Sequence, residues 1–336
     1  MSIPFRTARV AAVTLVAATL LAAPALRAAD TGNPAYADPA KTDDDFPFQG
    51  EYAGEVPVNG SPIRLGIQVV ALGDGAFDIV AYPGGLPGDG WDAPTKLKGK
   101  GKRDGAAVNF EVTDPDGKVH KATIRDGAIV ALDGAAKLPK VERKSKTLGA
   151  KAPEGAVVIF DGTGTEKLEG GKTTPDGLLM QGVTTKDAFG DATWHIEFRL
   201  PYQPKDRGQG RGNSGAYVAG AYEVQMLDSF GLEGLNNECG GVYSVAAPLT
   251  NMCYPPLSWQ TYDIDYTAPK YEGDKKTAPA RMTVRHNGVV IHDNIAVNQI
   301  TPGGVGADGK GVKGPLHLQD HGNPVRYRNV WVKPKQ

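Results

Sequence analysis

Glycine and proline do most to limit what this chain can fold into: 44 Gly and 25 Pro fall among its 336 residues, about a fifth of them and well above ordinary usage. Gly pays the largest entropic cost inside a helix, and Pro removes a backbone donor and clashes with the preceding turn, so long helices are disfavoured. The same residues suit many short strands joined by turns. A hydrophobic share of 40% beside 22% charged residues belongs to a chain able to bury a core. Lys and Arg number 37 against 38 Asp and Glu, for a formal net charge of -1. That balance argues against a nucleic-acid-binding protein, whose phosphate contacts call for concentrated basic residues. Helical bundles, coiled coils and polytopic membrane proteins are excluded on composition as well.

Residues 1–29 read as a secretory signal. Arg6 and Arg9 make a positive start, Val10 to Ala23 a short apolar run, and Ala23-Pro24-Ala25 or Ala28-Ala29 offer cleavage sites. The run is shorter than the roughly 20 residues of a spanning helix, so no permanent membrane span is expected, and the mature chain is expected in the periplasm or outside the cell. Cys239 and Cys253, the only two cysteines, share one Gly- and Pro-rich region. In an oxidising compartment they are expected to close a disulfide loop of about 15 residues, worth up to roughly 3 kcal/mol in chain-entropy terms; the alternative is two buried thiols. Without neighbouring His they make no zinc site.

Residues 30–45, rich in Ala, Pro and Asp, read as a flexible, solvated leader. Residues 46–141 read as a small antiparallel β domain, with strands such as Arg64 to Leu72 and Ala76 to Tyr82 separated by Gly73-Asp74-Gly75, Asp104-Gly105, Asp116-Gly117 and Asp126-Gly127. Trp91, in its Gly- and Pro-rich loop, is expected in the core. Residues 142–155 read as a linker, and residues 156–335 as a second all-β domain. There, Thr193 to Leu200 alternates: Trp194, Ile196, Phe198 and Leu200 face one way, His195, Glu197 and Arg199 the other. One apolar and one polar face is what a two-sheet sandwich presents. Asn287-Gly288 before Val289 signals a hairpin.

A series of pieces in order carries a family resemblance: Phe160-Asp161-Gly162, Glu197-Phe198-Arg199-Leu200-Pro201, Gly212-Asn213-Ser214-Gly215, Tyr222 to Asp228, Gly241-Val242-Tyr243, Trp259-Gln260-Thr261-Tyr262, Asn287-Gly288-Val289, Leu318 to Gly322 and Tyr327-Arg328-Asn329-Val330. Over residues 156–333 the chain resembles the 3-keto-disaccharide hydrolase domain family, also numbered domain of unknown function 1080. The resemblance implies an all-β, concanavalin-like two-sheet β-sandwich (jelly roll), here preceded by the small antiparallel β domain. It also implies carbohydrate substrates oxidised at carbon 3. A ketone there makes the carbon-2 proton acidic; a base removes it, the enediolate expels the glycosidic oxygen from carbon 1, and added water completes net hydrolysis. Such a site needs a base, an electrophile for the enolate oxygen and an acid for the leaving group. A divalent metal, calcium or a transition metal, held by carboxylate and imidazole, is one such electrophile.

Glu223 and Gln225, two apart on one strand, share a face, and Asp228 follows at its end; such a set suits sugar hydroxyls or a hard metal ion. Glu223, His321, Glu197 and His195 are the catalytic candidates, with His a plausible base near neutral pH. Gln225, Asn213, Ser214, Tyr243, Gln319, Arg211 and Arg326 are candidates for holding the sugar or its enolate. Asp228, Glu223 and His321 are the candidate metal ligands. His317, Gln319 and His321 line one face if extended. His120, His286 and His292 read as surface residues. Since fold does not fix function, a non-catalytic, lectin-like carbohydrate-binding protein is the alternative to an enzyme.

Overall fold

Period-two alternation in the N-terminal half closes a sheet on itself. The computed structural model describes residues 32–58, 60–92, 95–131, 134–306 and 308–335; the expected signal segment lies outside the described residues. Strands Gly50–Val58, Ser61–Gly73, Ala76–Pro83, Leu97–Asp104, Ala107–Thr113, Val119–Arg125, Ala128–Ala131 and Ala136–Val141 pair antiparallel in chain order, and the last returns to the first, Glu51 opposite Val141. The small β domain is therefore a closed barrel, which leaves no sheet edge to protect. Tyr52, Val69, Phe77, Ile79, Val108, Phe110, Ile124, Ile129 and Leu138 fill it. In Leu97–Asp104, exposed lysines alternate with Gly99 and Gly101; a Cβ on Gly99 would stand 2.0 Å from the Glu111 carbonyl oxygen, so the close strand approach there requires glycine. Trp91 is half-exposed, edge-on to Tyr82 with ring centroids 5.1 Å apart, rather than a core plug.

The C-terminal half is the expected all-β sandwich. One sheet runs Val157–Phe160, Arg326–Pro334, Ala192–Arg199, Trp259–Thr267, Ala280–His286, Val289–Val297, with Leu179–Met180 also paired to Arg326–Pro334. The other runs Leu168–Glu169, Val183–Thr185, His317–Leu318, Ser214–Val218, Tyr222–Met226. Between them lie Trp194, Ile196, Phe198 and Leu200, all fully buried, against Ala216, Val218, Val224 and Met226. Each large apolar side chain removed from water in this way stabilises the fold by about 1.5–3 kcal/mol. Asn287 and Gly288 both take positive φ (53° and 80°), the left-handed pair that a tight two-residue hairpin demands.

Three expectations about the connections are corrected. The leader is tied down: Tyr36 exchanges backbone hydrogen bonds with Tyr202 at 2.9 Å, and the Asp45 carboxylate, buried, accepts from Arg103 Nε and the Gly75 N–H. Residues 142–155 are no loose linker: Arg143 pairs with buried Glu51, and Ser145 to Ala150 lie across the outer face of Ala192–Arg199. Cys239 and Cys253 are free buried thiols, not a disulfide; Cys239 Sγ stands 3.2 Å from Tyr262 Oη and Cys253 Sγ 3.6 Å from the Leu227 carbonyl. The sandwich interior shields both sulfurs. His286 and His292 are buried too, bonded to Gln260 and the Gly240 carbonyl, where surface positions were expected. No helix among the described residues is long and apolar enough to cross a membrane.

Candidate active site

Alternation on two neighbouring strands sorts the candidates. Ser214, Ala216 and Val218 turn to the core, as do Tyr222, Val224 and Met226. Gly215, Tyr217, Glu223 and Gln225 then fall on the sheet's other face, where Tyr217 stands opposite Glu223 and Gly215 opposite Gln225. On the flanking strand His317 pairs with Tyr217, and the Gln319 N–H donates to the Gly215 carbonyl. His321 follows two residues after Gln319, in a bend past the end of that strand. Although it is an outer face, Glu223, Gln225, Tyr217 and Asn213 are each no more than 3% exposed, because loops fold over it. Pro204 to Arg211 contributes Gln209, which accepts from both Gln225 Nε2 (3.0 Å) and Asn213 Nδ2 (3.1 Å). Thr301 and Pro302 cover the far side.

Glu223 is the buried carboxyl of this face. Its carboxylate lies over Gly215, where a Cβ would come within 2.1 Å of Oε1; no other residue leaves it room. Burial pushes its carboxyl up to about 7, against an opposing hydrogen bond from Tyr217. Oε2 is 2.8 Å from Tyr217 Oη, which is also 2.9 Å from the Pro302 carbonyl and 3.4 Å from Gln319 Nε2. A phenol has one proton for two acceptors. That proton serves the Glu223 carboxylate when the carboxylate is charged, and the Pro302 carbonyl when Glu223 is protonated. His321 is half-buried, with its Nδ1 unpartnered, and burial lowers its pKa, so the ring is a neutral acceptor near neutral pH. Asn213 Oδ1 is likewise buried without a partner. Tyr243 borders the site, its N–H donating to the Glu223 carbonyl.

Other candidates fall elsewhere. Ser214 Oγ points into the sandwich, bonded to Tyr327 Oη and the Gln319 carbonyl, and is unavailable to a sugar. His195 and Glu197 lie on the opposite sheet, sealed under Ser145 to Ala150. His195 stacks on Trp331 and holds Asp263 at 2.6 Å; burial opposes its charge, but Asp263 and Glu197 outweigh burial and raise its pKa. Burial likewise disfavours the Glu197 charge, yet His195, Asn329, Arg328 and the Gly149 N–H hold the carboxyl down at about 2. His195 Nε2 stays 3.5 Å from Glu197, close enough for charge attraction but too far for a good hydrogen bond. These two residues are a buried ionic clasp, not a groove. Arg326 sits beside its register partner Arg199 and bonds Gln181. Arg211 and Asp228 form a buried ion pair at 2.7 Å lining an interdomain cleft of about 400 Å³.

With Asp228 committed to Arg211, the expected Asp228, Glu223 and His321 ligand set does not assemble, and among the described residues no group of three or more His, Cys, Asp or Glu is placed to hold a metal ion. Sequence reasoning missed Tyr217, Gln209 and Pro302. Tyr217 was within reach, since it is two residues beyond Gly215 and shares its face; Gln209 and Pro302 come from loops whose position no periodicity encodes.

Residues 155–333 match the family model of the 3-keto-alpha-glucoside-1,2-lyase-like domain. No curated protein matches the chain. Among solved structures, a proposed glycosyl hydrolase from Parabacteroides distasonis ATCC 8503 is 33% identical over 55% of this chain and 85% of its own, with a TM-score of 0.49. Two further proposed glycosyl hydrolases from that organism are 18% and 17% identical, cover 54% and 55% of this chain and 99% and 95% of theirs, and have TM-scores of 0.39 and 0.38.

Proposed function

Because this chain belongs to the 3-keto-alpha-glucoside-1,2-lyase-like domain family, we propose that the Glu223 face cleaves 3-keto glycosides by elimination, in an exported protein. His321, neutral through burial, takes the carbon-2 proton. The electron pair left on carbon 2 is delocalised onto the carbon-3 oxygen, then forms the carbon-1 to carbon-2 double bond as the carbon-1 to oxygen bond breaks. Glu223, protonated, delivers its proton to the departing oxygen. Addition of water across the new double bond, hydroxyl to carbon 1 and proton to carbon 2, completes hydrolysis. Asn213, Gln225 and Gln319 supply amide groups for the sugar hydroxyls and for the enolate oxygen. Tyr217 is a positioning residue that acts through Glu223.

The observation that carries this reading is the buried Glu223 carboxyl, held near pKa 7 and sharing Tyr217 with a backbone carbonyl. A carboxyl on an exposed strand face has no reason to be protonated near neutral pH; a general acid has. The test is release from a 3-keto glucoside bearing a chromogenic leaving group. The wild-type chain releases it, and Glu223→Gln and His321→Ala do not. Retention of glycans with no release by the wild type would instead establish a lectin.

A further inference from the structure

The barrel carries a second feature that the sandwich chemistry does not use. Strands Leu97–Asp104, Ala107–Thr113 and Val119–Arg125 turn their polar side chains outward and line an open trough of about 1050 Å³. Lys98, Lys100, Lys102, Lys121 and Arg125 line it, against one acid among the described residues, Glu111. The register arranges them in rows across the strands: Lys100, Glu111, Lys121 in one, and Lys102, Asn109, Thr123 in the next. The three lysines of one strand repeat every second residue, roughly 6.6 Å apart.

We propose that this trough docks an acidic, uronic-acid polysaccharide, holding the chain against polymeric carbohydrate while the sandwich acts. Charge complementarity is the first argument. Lys102 and Arg125 have no acidic partner among the described residues, while Lys98, Lys100 and Lys121 sit on the exposed carboxylates of Glu233, Asp78 and Glu111. Exposed pairs of this kind are weak, so a ligand carboxylate exchanges with them at little cost, on ammonium groups already disposed to receive one. The second argument is what else lines the trough. Asn109, Thr113 and Thr123 offer amide and hydroxyl groups suited to sugar hydroxyls. Among the described residues its one aromatic side chain, Phe110, is buried, so they offer no platform for stacking bases and no apolar wedge for a bilayer. Continuity is the third: Lys98, Gly99 and Lys100 also line the interdomain cleft, which reaches Arg211 and Asp228 of the sandwich. The choice of a glycan rests on the family's carbohydrate chemistry; the electrostatics stand independently of it.

The experiment is affinity electrophoresis of the full chain in gels containing polygalacturonate, a neutral glucan, dextran sulfate or double-stranded DNA, at low and at moderate salt. We expect retardation by polygalacturonate that weakens with salt, at least a tenfold loss of affinity in the double variant Lys102→Glu, Arg125→Glu, and unchanged retardation in Glu223→Gln. Because the last variant lacks the proposed acid but keeps the trough, failure of docking and failure of the elimination reading are separable. The pair Lys102→Gln, Arg125→Gln repeats the test should charge reversal disturb the barrel. No retardation by polygalacturonate, retardation that survives both double variants, or equal retardation by DNA and dextran sulfate overturns the proposal.

Discussion

Glu223 keeps its proton through two features, a bare Gly215 beneath it and loops that exclude water, against the opposing hydrogen bond from Tyr217. Each is testable at the level of one side chain. Replacing the acid, Glu223→Gln, is expected to lower kcat by about 10²–10⁴-fold. The pH profile of kcat/KM is expected to be a bell, its acid limb set by His321, whose pKa lies below the usual histidine value, and its alkaline limb by Glu223 near 7. Tyr217→Phe removes the one hydrogen bond that opposes burial, so the alkaline limb should move to higher pH while the fold persists; a limb that stays put would mean Tyr217 does not act on Glu223. Stability follows with a definite sign. A carboxyl raised from 4.5 to about 7 on folding binds more protons folded than unfolded, so stability falls as pH rises through that window, by about 3 kcal/mol in all. Glu223→Gln should flatten that slope in denaturant titrations.

At the scale of elements, strand Ala192–Arg199 shows how far periodicity reaches. Its alternation correctly assigned Trp194, Ile196, Phe198 and Leu200 to the core. The polar side was equally legible as polar, but nothing in eight residues tells whether water, sugar or another stretch of the same chain lies against it. The covering stretch is Ser145 to Ala150, whose composition looks like a spacer, and whose Gly149 N–H and Ala150 carbonyl serve Glu197, Asn329 and Trp331. Glu223 and Gln225 were readable as a pair for the opposite reason: both lie on one strand, so period two alone unites them. Uniting them with Tyr217 and Gln319 needed strand register, and with Gln209 needed a loop. The cover makes its own prediction. Glu197, held at about 2, stabilises above its ordinary range, and that contribution, on the order of 2 kcal/mol, is lost as pH falls from about 4.5 toward 2. Glu197→Gln leaves Arg328 without its anion and His195 with Asp263 alone, and is expected to cost about 2–4 kcal/mol, measured by urea unfolding at pH 7.

For the whole molecule, the two halves exchange core residues. Tyr202, from the sandwich chain, is fully buried in the barrel's cluster beside Tyr36 and Phe46 and bonds Asp43, while Val70 of the barrel packs in the sandwich core. Composition and turn signals located two β units, but an aromatic lent across the boundary leaves no periodic trace. Chain-wide charge was similarly blind: a net of -1 coexists with five cations on one barrel face. Tyr202→Ala is expected to cost about 3–5 kcal/mol, as for other large core truncations, and to lower the melting temperature of the entire protein rather than of the barrel alone. Strand Ala136–Val141 leads within a few residues to the segment that lids the sandwich's far sheet. A chain emerging from its N-terminus thus carries the lid out ahead of the surface it must close upon, while the barrel's core still lacks Tyr202. The late arrival of Arg326–Pro334, which slots between Val157–Phe160 and Ala192–Arg199, then completes the sheet beneath that lid, and truncation at that end would leave an open sheet beneath an idle cover.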